Sequence, residues 1–349
     1  ELNIAIDKIL DFSANINPLG YPPKVEELIK NHIKDIIHYP DIEQRQLKKS
    51  ASAYYGTTAD RILPGNGSVE LINIVIEALK PSKAIIPSPT FAEYSLSCES
   101  RKVPVKYMEL SGDNFIFDEV ILEKIKKLLI KNSLLVLCNP NNPTGNVIKP
   151  KIIKKVLDVL KPRQSYLLLD EAFMDFVEAD ESMVSCLEKY DNLLILKSVT
   201  KFFALPGLRL GFLLANPNLI ENFKKFKDPW NINTFAGIVG TKVIEEKHYI
   251  RKTRELIFTE KEWLWKQLKQ IPGFKPIYPE ANFIFVKIEQ GITTTRLAQG
   301  LRKQGILIRD CSNYTYLDDT FFRVAVKSRE ENQILVSKIK DILCKKGCI

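Results

Sequence analysis

Between about residues 60 and 215, the hydrophobic residues fall in short unbroken runs that alternate with stretches of helical spacing. An unbroken apolar run is typical of a strand buried on both faces, whereas apolar positions three and four apart are typical of a helix. The predicted strands are 84–87, 134–138, 166–169, 193–196 and 212–215, and the predicted helices between them include 69–79 and 152–160. Strands joined by helices predict an α/β fold with a mostly parallel sheet flanked by helices.

From about residue 235 the pattern changes and predicts a smaller α+β domain. The predicted elements there are a charge-rich helical stretch at 237–271, strands at 282–288, 306–308 and 321–326, and helices at 293–304 and 330–344. An amphipathic helix near the N-terminus is predicted from the spacing of Val25, Leu28, Ile29, Ile33 and Ile36. Because that segment precedes the sheet pattern, we expect it to join the smaller domain. The predicted division is a large domain at 36–234 and a small domain formed by 1–35 and 235–349.

The composition is typical of an ordinary globular enzyme. Of the 349 residues, 45% are hydrophobic and 27% are charged, and no apolar run is long enough to span a bilayer. The net charge of +9 comes from 51 lysines and arginines against 42 acidic residues. Because the lysines are scattered, a solvated surface or an anionic small substrate is favoured over nucleic acid. We therefore expect neither a membrane nor a nucleic-acid partner.

The six cysteines contain no CxxC pair. This usage favours a reducing cytoplasm and argues against a metal centre, and no secretory signal is visible. Cys344 and Cys348 are four positions apart. Whether these two residues bind a metal together with a further ligand is left open.

One segment near residue 200 places a lysine among small hydroxyl side chains. Lys201 follows Ser198 and Thr200, and Arg209 lies eight positions after it. A lysine that can form an imine, beside groups that bind phosphate, is what pyridoxal phosphate chemistry requires. Lys197 is the nearest alternative, but it falls in an apolar strand and lacks an arginine at that spacing. We predict that Lys201 is the imine lysine and that the two hydroxyls and Arg209 hold the cofactor phosphate.

A glycine-rich turn lies before the predicted helix at 69–79. Its last two residues, Gly67 and Ser68, would let the backbone approach a phosphate closely, and a helix N-terminus offers free N–H groups. The alternative is a simple turn in which Ser68 caps the helix. Together with the lysine segment, the turn favours phosphate binding.

Three further residues could hold the rest of such a cofactor. Asp170 ends an apolar run, where a carboxylate can pair with a protonated pyridine nitrogen; the less favoured alternative is a plain strand-ending residue. Asn142, in the sequence Asn-Pro-Asn-Asn-Pro-Thr-Gly, can donate to the phenolic oxygen. Tyr94 can stack on the ring, or it can be an ordinary packing residue. The segments around Asp170, Asn142 and Lys201 follow predicted strands, and ligands of parallel sheets bind beyond the carboxyl ends of the strands.

With these motifs in order, the chain resembles the fold-type I pyridoxal phosphate enzymes of the aminotransferase class I/II superfamily over nearly its whole length. Within that superfamily it looks most like the threonine-phosphate decarboxylases of cobalamin biosynthesis, which are close to the histidinol-phosphate aminotransferases. The segments that carry this second resemblance are 11–20, 170–176, 229–233, 306–314 and 322–326. The aminotransferases usually have Asn-Glu-Asn-Pro-Tyr-Gly near the start and a tyrosine where Phe173 stands, which favours the decarboxylases.

The resemblance implies a role for each matching residue. Lys201 would carry the cofactor, Asp170 would face its pyridine nitrogen and Asn142 its phenolic oxygen. The phosphate would be held by Gly67, Ser68, Ser198, Thr200 and Arg209. Tyr39 would reach the cofactor phosphate of a partner subunit, which implies a homodimer with active sites at the subunit interface.

On the substrate side, the resemblance implies that Arg323, assisted by Asn142, binds the carboxylate. Arg309 is the candidate for the substrate phosphate, and Asn15 and Ile16 would also contact the substrate. Without the resemblance, the two arginines could equally be structural ion pairs. Members commonly carry a His-Gly-Gly segment ahead of Asp-Phe-Ser that grips the substrate phosphate. It is missing from residues 1–10, and whether one precedes Glu1 is left open.

The reaction implied is decarboxylation of O-phospho-L-threonine to (R)-1-amino-2-propanol phosphate. The alternatives are transamination of histidinol phosphate and decarboxylation of O-phospho-L-serine to ethanolamine phosphate. A binding or regulatory module that acts on nucleic acid is the least favoured alternative. One methyl group separates the two phosphorylated amino acids, and a pocket distinguishes such a difference by only about 1–3 kcal/mol.

Overall fold

The computed structural model describes residue 5 and residues 8–110, 112–179 and 181–345. The strands are β1 (Leu10–Asp11), β2 (Ile62–Gly65), β3 (Lys83–Ser88), β4 (Val105–Glu109), β5 (Ser133–Cys138), β6 (Tyr166–Asp170), β7 (Leu193–Ser198), β8 (Gly211–Leu214), β9 (Phe274–Pro276), β10 (Phe283–Ile288), β11 (Ile306–Leu307), β12 (Arg309–Asp310) and β13 (Phe321–Ala325). The α-helices are α1 (Lys24–His32), α2 (Arg45–Tyr55), α3 (Ser68–Leu79), α4 (Glu93–Glu99), α5 (Glu119–Leu128), α6 (Pro150–Leu160), α7 (Val199–Phe202), α8 (Pro217–Lys224), α9 (Thr234–Val243), α10 (Lys247–Lys269), α11 (Thr294–Arg302) and α12 (Arg329–Lys345).

Seven strands form the larger sheet, in the order β2–β8–β7–β6–β5–β3–β4. All of them are parallel except β8, which runs antiparallel to both of its neighbours. Alternate residues of the central strands enter two separate hydrophobic clusters: Leu135 and Leu167 lie in one, Leu134 and Leu168 in the other. Both faces of the sheet are therefore covered, as continuous apolar strands require. The predicted α/β class with a mostly parallel sheet is confirmed.

A smaller antiparallel sheet has the order β12–β13–β10–β9, with α10 packed against β9 and β10. A two-stranded parallel pair joins β1 near the N-terminus to β11 in the C-terminal part. The N-terminal segment therefore contacts the C-terminal part at two places: β1 pairs with β11, and α1 packs against α9. The domain boundaries at 35/36 and 234/235 stay a prediction.

Three predicted elements differ from those observed. The stretch 237–271 is two helices, α9 and α10, separated at 244–246, where no glycine or proline marks the break. The strand predicted at 306–308 is divided, because β11 pairs with β1 whereas β12 pairs with β13. The N-terminal α-helix ends at His32 and continues as a 3-10 helix over Ile33–Ile37, whose Ile33 and Ile36 side chains are exposed.

Strand register brings distant residues to one edge of the large sheet. Cys138 lies opposite Asp170, and Asp170 opposite Leu196, so the carboxyl ends of β5, β6 and β7 are neighbours. On the other side of β7, Gly211 lies opposite both Ser198 and Gly65. Because ligands of open parallel sheets bind at this edge, the residues that follow these strands are the natural place to look for a site.

Candidate active site

Lys201 lies in the single turn of α7, directly after β7. Its Nζ donates to Ser198 Oγ at 3.4 Å, and the hydroxyls of Ser198 and Thr200 are 2.7 Å apart. The backbone of the lysine is held by Asn17, whose N–H donates to the Lys201 carbonyl at 3.1 Å. Burial lowers the pKa of Lys201 below its ordinary value, although Asp170 opposes the shift. A lowered pKa increases the share of neutral amine, which is the nucleophilic form.

Lys197, the alternative lysine, is already engaged elsewhere. Its Nζ lies 2.6 Å from Glu171 Oε2 and 3.2 Å from Ser182 Oγ, and both members of the ion pair are buried. In a strand, neighbouring side chains point to opposite faces, so Lys197 and Ser198 diverge. Only Lys201 of these two lysines therefore shares a cluster with the hydroxyls of Ser198 and Thr200.

The turn before α3 and the segment after α7 meet through strand register. Gly67 is the N-cap of α3 at φ 81°, and no side chain caps this helix, so the alternative in which Ser68 caps it is wrong. A Cβ added to Gly67 would lie 2.5 Å from Nη2 of Arg209, so the guanidinium packs closely over this residue, and the positive φ of Gly67 favours glycine at the position. Arg209 is exposed, with Nη1 donating to the Pro206 carbonyl at 3.2 Å. A helix N-terminus, two hydroxyls and an arginine together fit a phosphate group.

Asp170 ends β6 beside the lysine. Its Oδ1 accepts from the Ala172 N–H at 2.9 Å, and its Oδ2 accepts from the Tyr94 hydroxyl at 2.6 Å. Tyr94 was predicted to stack on a cofactor ring. In the structure its hydroxyl forms a hydrogen bond with the carboxylate of Asp170, the residue predicted to face the pyridine nitrogen. Cys138 lies opposite Asp170 in the sheet, and burial raises the pKa of its thiol to about 12. This thiol is therefore protonated at neutral pH and a poor nucleophile.

Arg323 links the small sheet to the loop after β5. Its Nη1 donates to Asn142 Oδ1, and its Nη2 donates to the Ser13 carbonyl at 2.5 Å. The guanidinium is buried, and burial lowers its pKa, yet arginine keeps its charge in proteins. An arginine of this kind, buried without a carboxylate in ion-pair contact among the described residues, fits an anionic ligand group.

Arg309 stands directly opposite Arg323 across the β12–β13 pair. Its Nη2 donates to Asn313 Oδ1 at 2.8 Å, and the guanidinium lies 5.2 Å from the centre of the Tyr314 ring. Both arginines line one cavity of about 360 Å³, together with Asn142. Two cations on one wall of a cavity suit a ligand with two anionic groups.

Three predicted residues are not brought to this cluster by any contact in the described part of the chain. Tyr39 is 80% exposed and packs against Trp230, with ring centres 4.7 Å apart. Asn15 is buried, and its carbonyl accepts from Asn282 Nδ2 at 3.1 Å. Ile16 follows Asn15, and its N–H donates a hydrogen bond to the Ala14 carbonyl. Their predicted roles stay predictions.

Sequence reasoning missed several residues that the fold adds to the site. Asn17 holds the lysine backbone, and its Nδ2 donates to the Phe202 carbonyl at 2.7 Å; its place in segment 11–20 was the available signal. Ser13 acts through its carbonyl, which leaves no side-chain signal. Phe283 packs beneath Arg323, and only the strand register reveals that contact.

The described part of the chain has neither a cluster of metal-ligating side chains nor a helix that could span a membrane. No group of three or more His, Cys, Asp or Glu side chains is placed to hold a metal there. Cys344 is a free, exposed thiol, whereas Cys348 lies outside the described residues, so that pair stays untested. Among the described helices, none is long and apolar enough to cross a membrane.

Comparison with known proteins agrees with this geometry. The profile of the family "aminotransferase class I and II" matches residues 7–339. A protein assigned the name threonine-phosphate decarboxylase in Caldanaerobacter subterraneus subsp. tengcongensis is 38% identical over 331 residues, covering 94% of this chain and 89% of that protein. The threonine-phosphate decarboxylase of Salmonella typhimurium is 33% identical over 349 residues, covering 98% and 93%. The crystal structure of histidinol-phosphate aminotransferase from Clostridium acetobutylicum matches with a TM-score of 0.90 and 32% identity, covering 97% of this chain and 100% of that one.

The chain thus combines a lysine of lowered pKa, a phosphate-fitting glycine turn and a family profile over nearly its whole length. It belongs to the aminotransferase class I and II family, whose members use pyridoxal 5'-phosphate.

Proposed function

We propose that this enzyme decarboxylates O-phospho-L-threonine to 1-amino-2-propanol phosphate. The observation that carries the proposal is the pair of arginines, Arg309 and Arg323, on one wall of the cavity beside Asn142. When bound, pyridoxal 5'-phosphate accepts the electron pair released by the breaking bond.

The arginine pair matches the two charged ends of a short phosphorylated amino acid. Residues directly opposite each other in an antiparallel pair have Cβ atoms about 5 Å apart. Arg323 is buried and held by Asn142, so it suits the carboxylate next to the reacting carbon. Arg309 is only partly buried, so it suits the phosphate at the far end. With both ends held, the substrate has one orientation in the cavity.

Proton transfer falls to Lys201. Its lowered pKa makes its ammonium form a readier proton donor, so protonated Lys201, beside Ser198, would deliver one proton to the reacting carbon as a general acid and become a neutral amine. Gly67, Ser68, Ser198, Thr200 and Arg209 would hold the cofactor phosphate, and Asp170 would face the pyridine nitrogen. Asn142 would contact the phenolic oxygen while it supports Arg323.

The relatives support this proposal without separating it from transamination. Proteins named as threonine-phosphate decarboxylases are 38% and 33% identical to the chain, whereas the histidinol-phosphate aminotransferase structure is 32% identical. Phe173, where the aminotransferases usually carry tyrosine, favours the decarboxylase. O-phospho-L-serine is the second candidate substrate, because it lacks only one methyl group.

The same proposal includes a homodimer with active sites at the interface. Members of the family are typically homodimers. Ile36, Ile37 and Tyr39, which lie within four positions of the chain, are 57%, 79% and 80% exposed, and a group of exposed apolar side chains is typical of an interaction surface. A partner subunit would cover them and receive Tyr39 at its cofactor phosphate. Sedimentation equilibrium of the holoenzyme tests this part, and a monomer at micromolar concentration would contradict it.

Product analysis tests the reaction. The protein loaded with pyridoxal 5'-phosphate is mixed with O-phospho-L-threonine, and separately with O-phospho-L-serine, without any oxo acid. Release of carbon dioxide with an amino-alcohol phosphate supports the proposal, and the faster of the two names the substrate. The contrary result is no carbon dioxide, together with amino transfer from histidinol phosphate to 2-oxoglutarate in a parallel reaction. That result would move the enzyme to the aminotransferases.

A further inference from the structure

A row of four side chains runs from the large sheet to the small sheet and ends at Arg323, which lines the cavity. Lys201 Nζ lies 5.5 Å from the centre of the Phe173 ring. Phe173 meets Phe283 edge to face, with ring centres 5.0 Å apart and an interplanar angle of 75°. Phe283 in turn lies 5.3 Å beneath the guanidinium of Arg323. We call Phe173 and Phe283 the aromatic bridge.

The bridge spans two separately built parts of the fold. Phe173 follows β6 of the large sheet, whereas Phe283 begins β10 of the small sheet. Their side chains are 6% and 0% exposed, so neither ring has room to turn freely. Gly145 packs against the second ring: a Cβ there would lie 3.7 Å from Cε2 of Phe283. The rings therefore act as a rigid spacer between Lys201 and Arg323.

The Phe283 ring restrains the tilt of the Arg323 guanidinium, which the hydrogen bonds of that arginine leave free. Among the described residues, Nε of Arg323 is buried without a hydrogen-bond partner. Two contacts at the Nη atoms leave the guanidinium free to tilt about the line that joins them. The face of the Phe283 ring limits that tilt, because a cation is attracted to an aromatic face and repelled by overlap with it. On the other side, Phe173 offers Lys201 an apolar surface without a hydrogen-bond acceptor.

We propose that Phe173 and Phe283 are positioning residues that set the angle between the carboxylate held by Arg323 and Lys201, and so favour loss of the carboxylate over amino transfer. The inference rests on the proposed function. In decarboxylation the bond from Cα to the carboxylate breaks, carbon dioxide leaves, and one proton takes its place on Cα. In amino transfer the Cα–H bond breaks instead, and the amino group passes to an added oxo acid. Alignment of the bond decides between them, so a small tilt of Arg323 changes the ratio.

The test measures that ratio in the holoenzyme with O-phospho-L-threonine and added 2-oxoglutarate. The amount of carbon dioxide measures decarboxylation, and the amount of glutamate measures amino transfer to 2-oxoglutarate. Phe283→Leu keeps an apolar side chain but removes the ring, and we expect the ratio of carbon dioxide to glutamate to fall about tenfold. Phe274→Leu is the matched control, because Phe274 is also buried in the small sheet but packs against Phe322. We expect it to change the ratio by less than about twofold.

A second readout needs neither cofactor nor turnover. Calorimetry measures how tightly the cofactor-free protein binds 3-phosphoglycerate, a phosphorylated carboxylate without an amino group. Loss of the ring beneath Arg323 should weaken this binding about threefold in Phe283→Leu, and Phe274→Leu should bind like the parent. A double variant, Phe173→Leu with Phe283→Leu, should have nearly the same product ratio as either single variant, because residues that act as one unit are not additive.

The outcomes separate the two proposals. If the parent releases no carbon dioxide, the proposed function fails, and the inference about reaction choice fails with it. If the parent does release carbon dioxide but Phe283→Leu keeps the parent's ratio, the bridge alone is overturned. A general loss of stability would lower both products together and leave the ratio unchanged, which also counts against the bridge. Should Phe283→Leu not fold, Phe173→Leu breaks the same row from its other end and takes its place.

Discussion

The hydroxyl of Tyr94 donates a 2.6 Å hydrogen bond to Oδ2 of Asp170, and both residues are buried. Burial and the neighbouring carboxylate raise the pKa of the tyrosine well above its ordinary value, so its proton stays on the phenol. The same carboxylate also accepts a hydrogen bond from the backbone N–H of Ala172. Tyr94 therefore supports the residue that is proposed to face the pyridine nitrogen.

We expect Tyr94→Phe to lower the free energy of unfolding of the cofactor-free protein by about 1–2 kcal/mol, because a buried carboxylate oxygen loses a donor. Urea unfolding at neutral pH measures this change. The matched control is Tyr107→Phe, which removes a hydroxyl that lies 3.5 Å from an exposed glutamate, Glu99. The control should be nearly neutral, and an equal loss in both variants would contradict the special role of the buried contact.

Lys201→Met should abolish covalent attachment of the cofactor and all turnover. Intact-mass analysis after borohydride reduction should detect the added cofactor in the parent and in Lys151→Met, whose lysine is exposed on α6, but not in Lys201→Met. Attachment of cofactor to Lys201→Met at a second lysine would refute the assignment.

The same variant carries a pH signature in the cofactor-free protein. Burial lowers the pKa of Lys201 below its ordinary value of 10.5 in the folded state, so protonated Lys201 costs stability. This cost is full below the folded pKa and disappears as the pH rises to about 10.5, where the unfolded chain also loses the proton. We therefore expect the stability of the parent relative to Lys201→Met to rise with pH over that window, and a pH-independent difference would speak against a buried ammonium.

Arg323→Ala should raise KM and lower kcat together for the phosphorylated amino acid, by about a hundredfold in kcat/KM, because the carboxylate loses its charged partner. Arg323→Lys keeps the charge but not the fork of donors, so an intermediate loss is expected. Arg302→Ala, at an exposed position of α11, serves as the control. Steady-state kinetics distinguishes the three, and near-parental values for Arg323→Ala would remove it from the substrate site.

The buried ion pair between Lys197 and Glu171 should matter for folding. Its atoms are 2.6 Å apart, and the side chains are 3% and 0% exposed. Glu171→Gln leaves the buried ammonium without its ion-pair partner, so a loss of about 3–5 kcal/mol in unfolding free energy is expected. Glu119→Gln breaks the exposed pair with Lys155 and should cost less than about 1 kcal/mol. If urea unfolding gave the same loss of unfolding free energy for Glu171→Gln and Glu119→Gln, burial would not explain the contribution of the Lys197–Glu171 pair to stability.

Local patterns of hydrophobic and polar residues predicted much of the fold. The apolar runs at 134–138 and 166–169 predicted strands covered on both faces, and these strands lie in the centre of the large sheet. Lys201, Ser198 and Thr200 are within four positions of one another, so one turn of chain brings them together and no long-range contact is needed. Hydrophobic periodicity and short-range chemistry depend on neighbouring residues, and the sequence displays those directly.

Long-range packing decided the remainder. Residues 244–246 contain no glycine or proline, yet α9 ends and α10 begins around them. Arg309 faces Arg323 only because β12 and β13 pair in one register, and a shift by one residue would turn the side chains to the other face. The hydroxyl of Tyr94 and the ring of Phe283 find Asp170 and Arg323 across the fold, through contacts between residues far apart in the chain. Strand order, register and such contacts arise from the packing of the whole core, so no single stretch of sequence contains them.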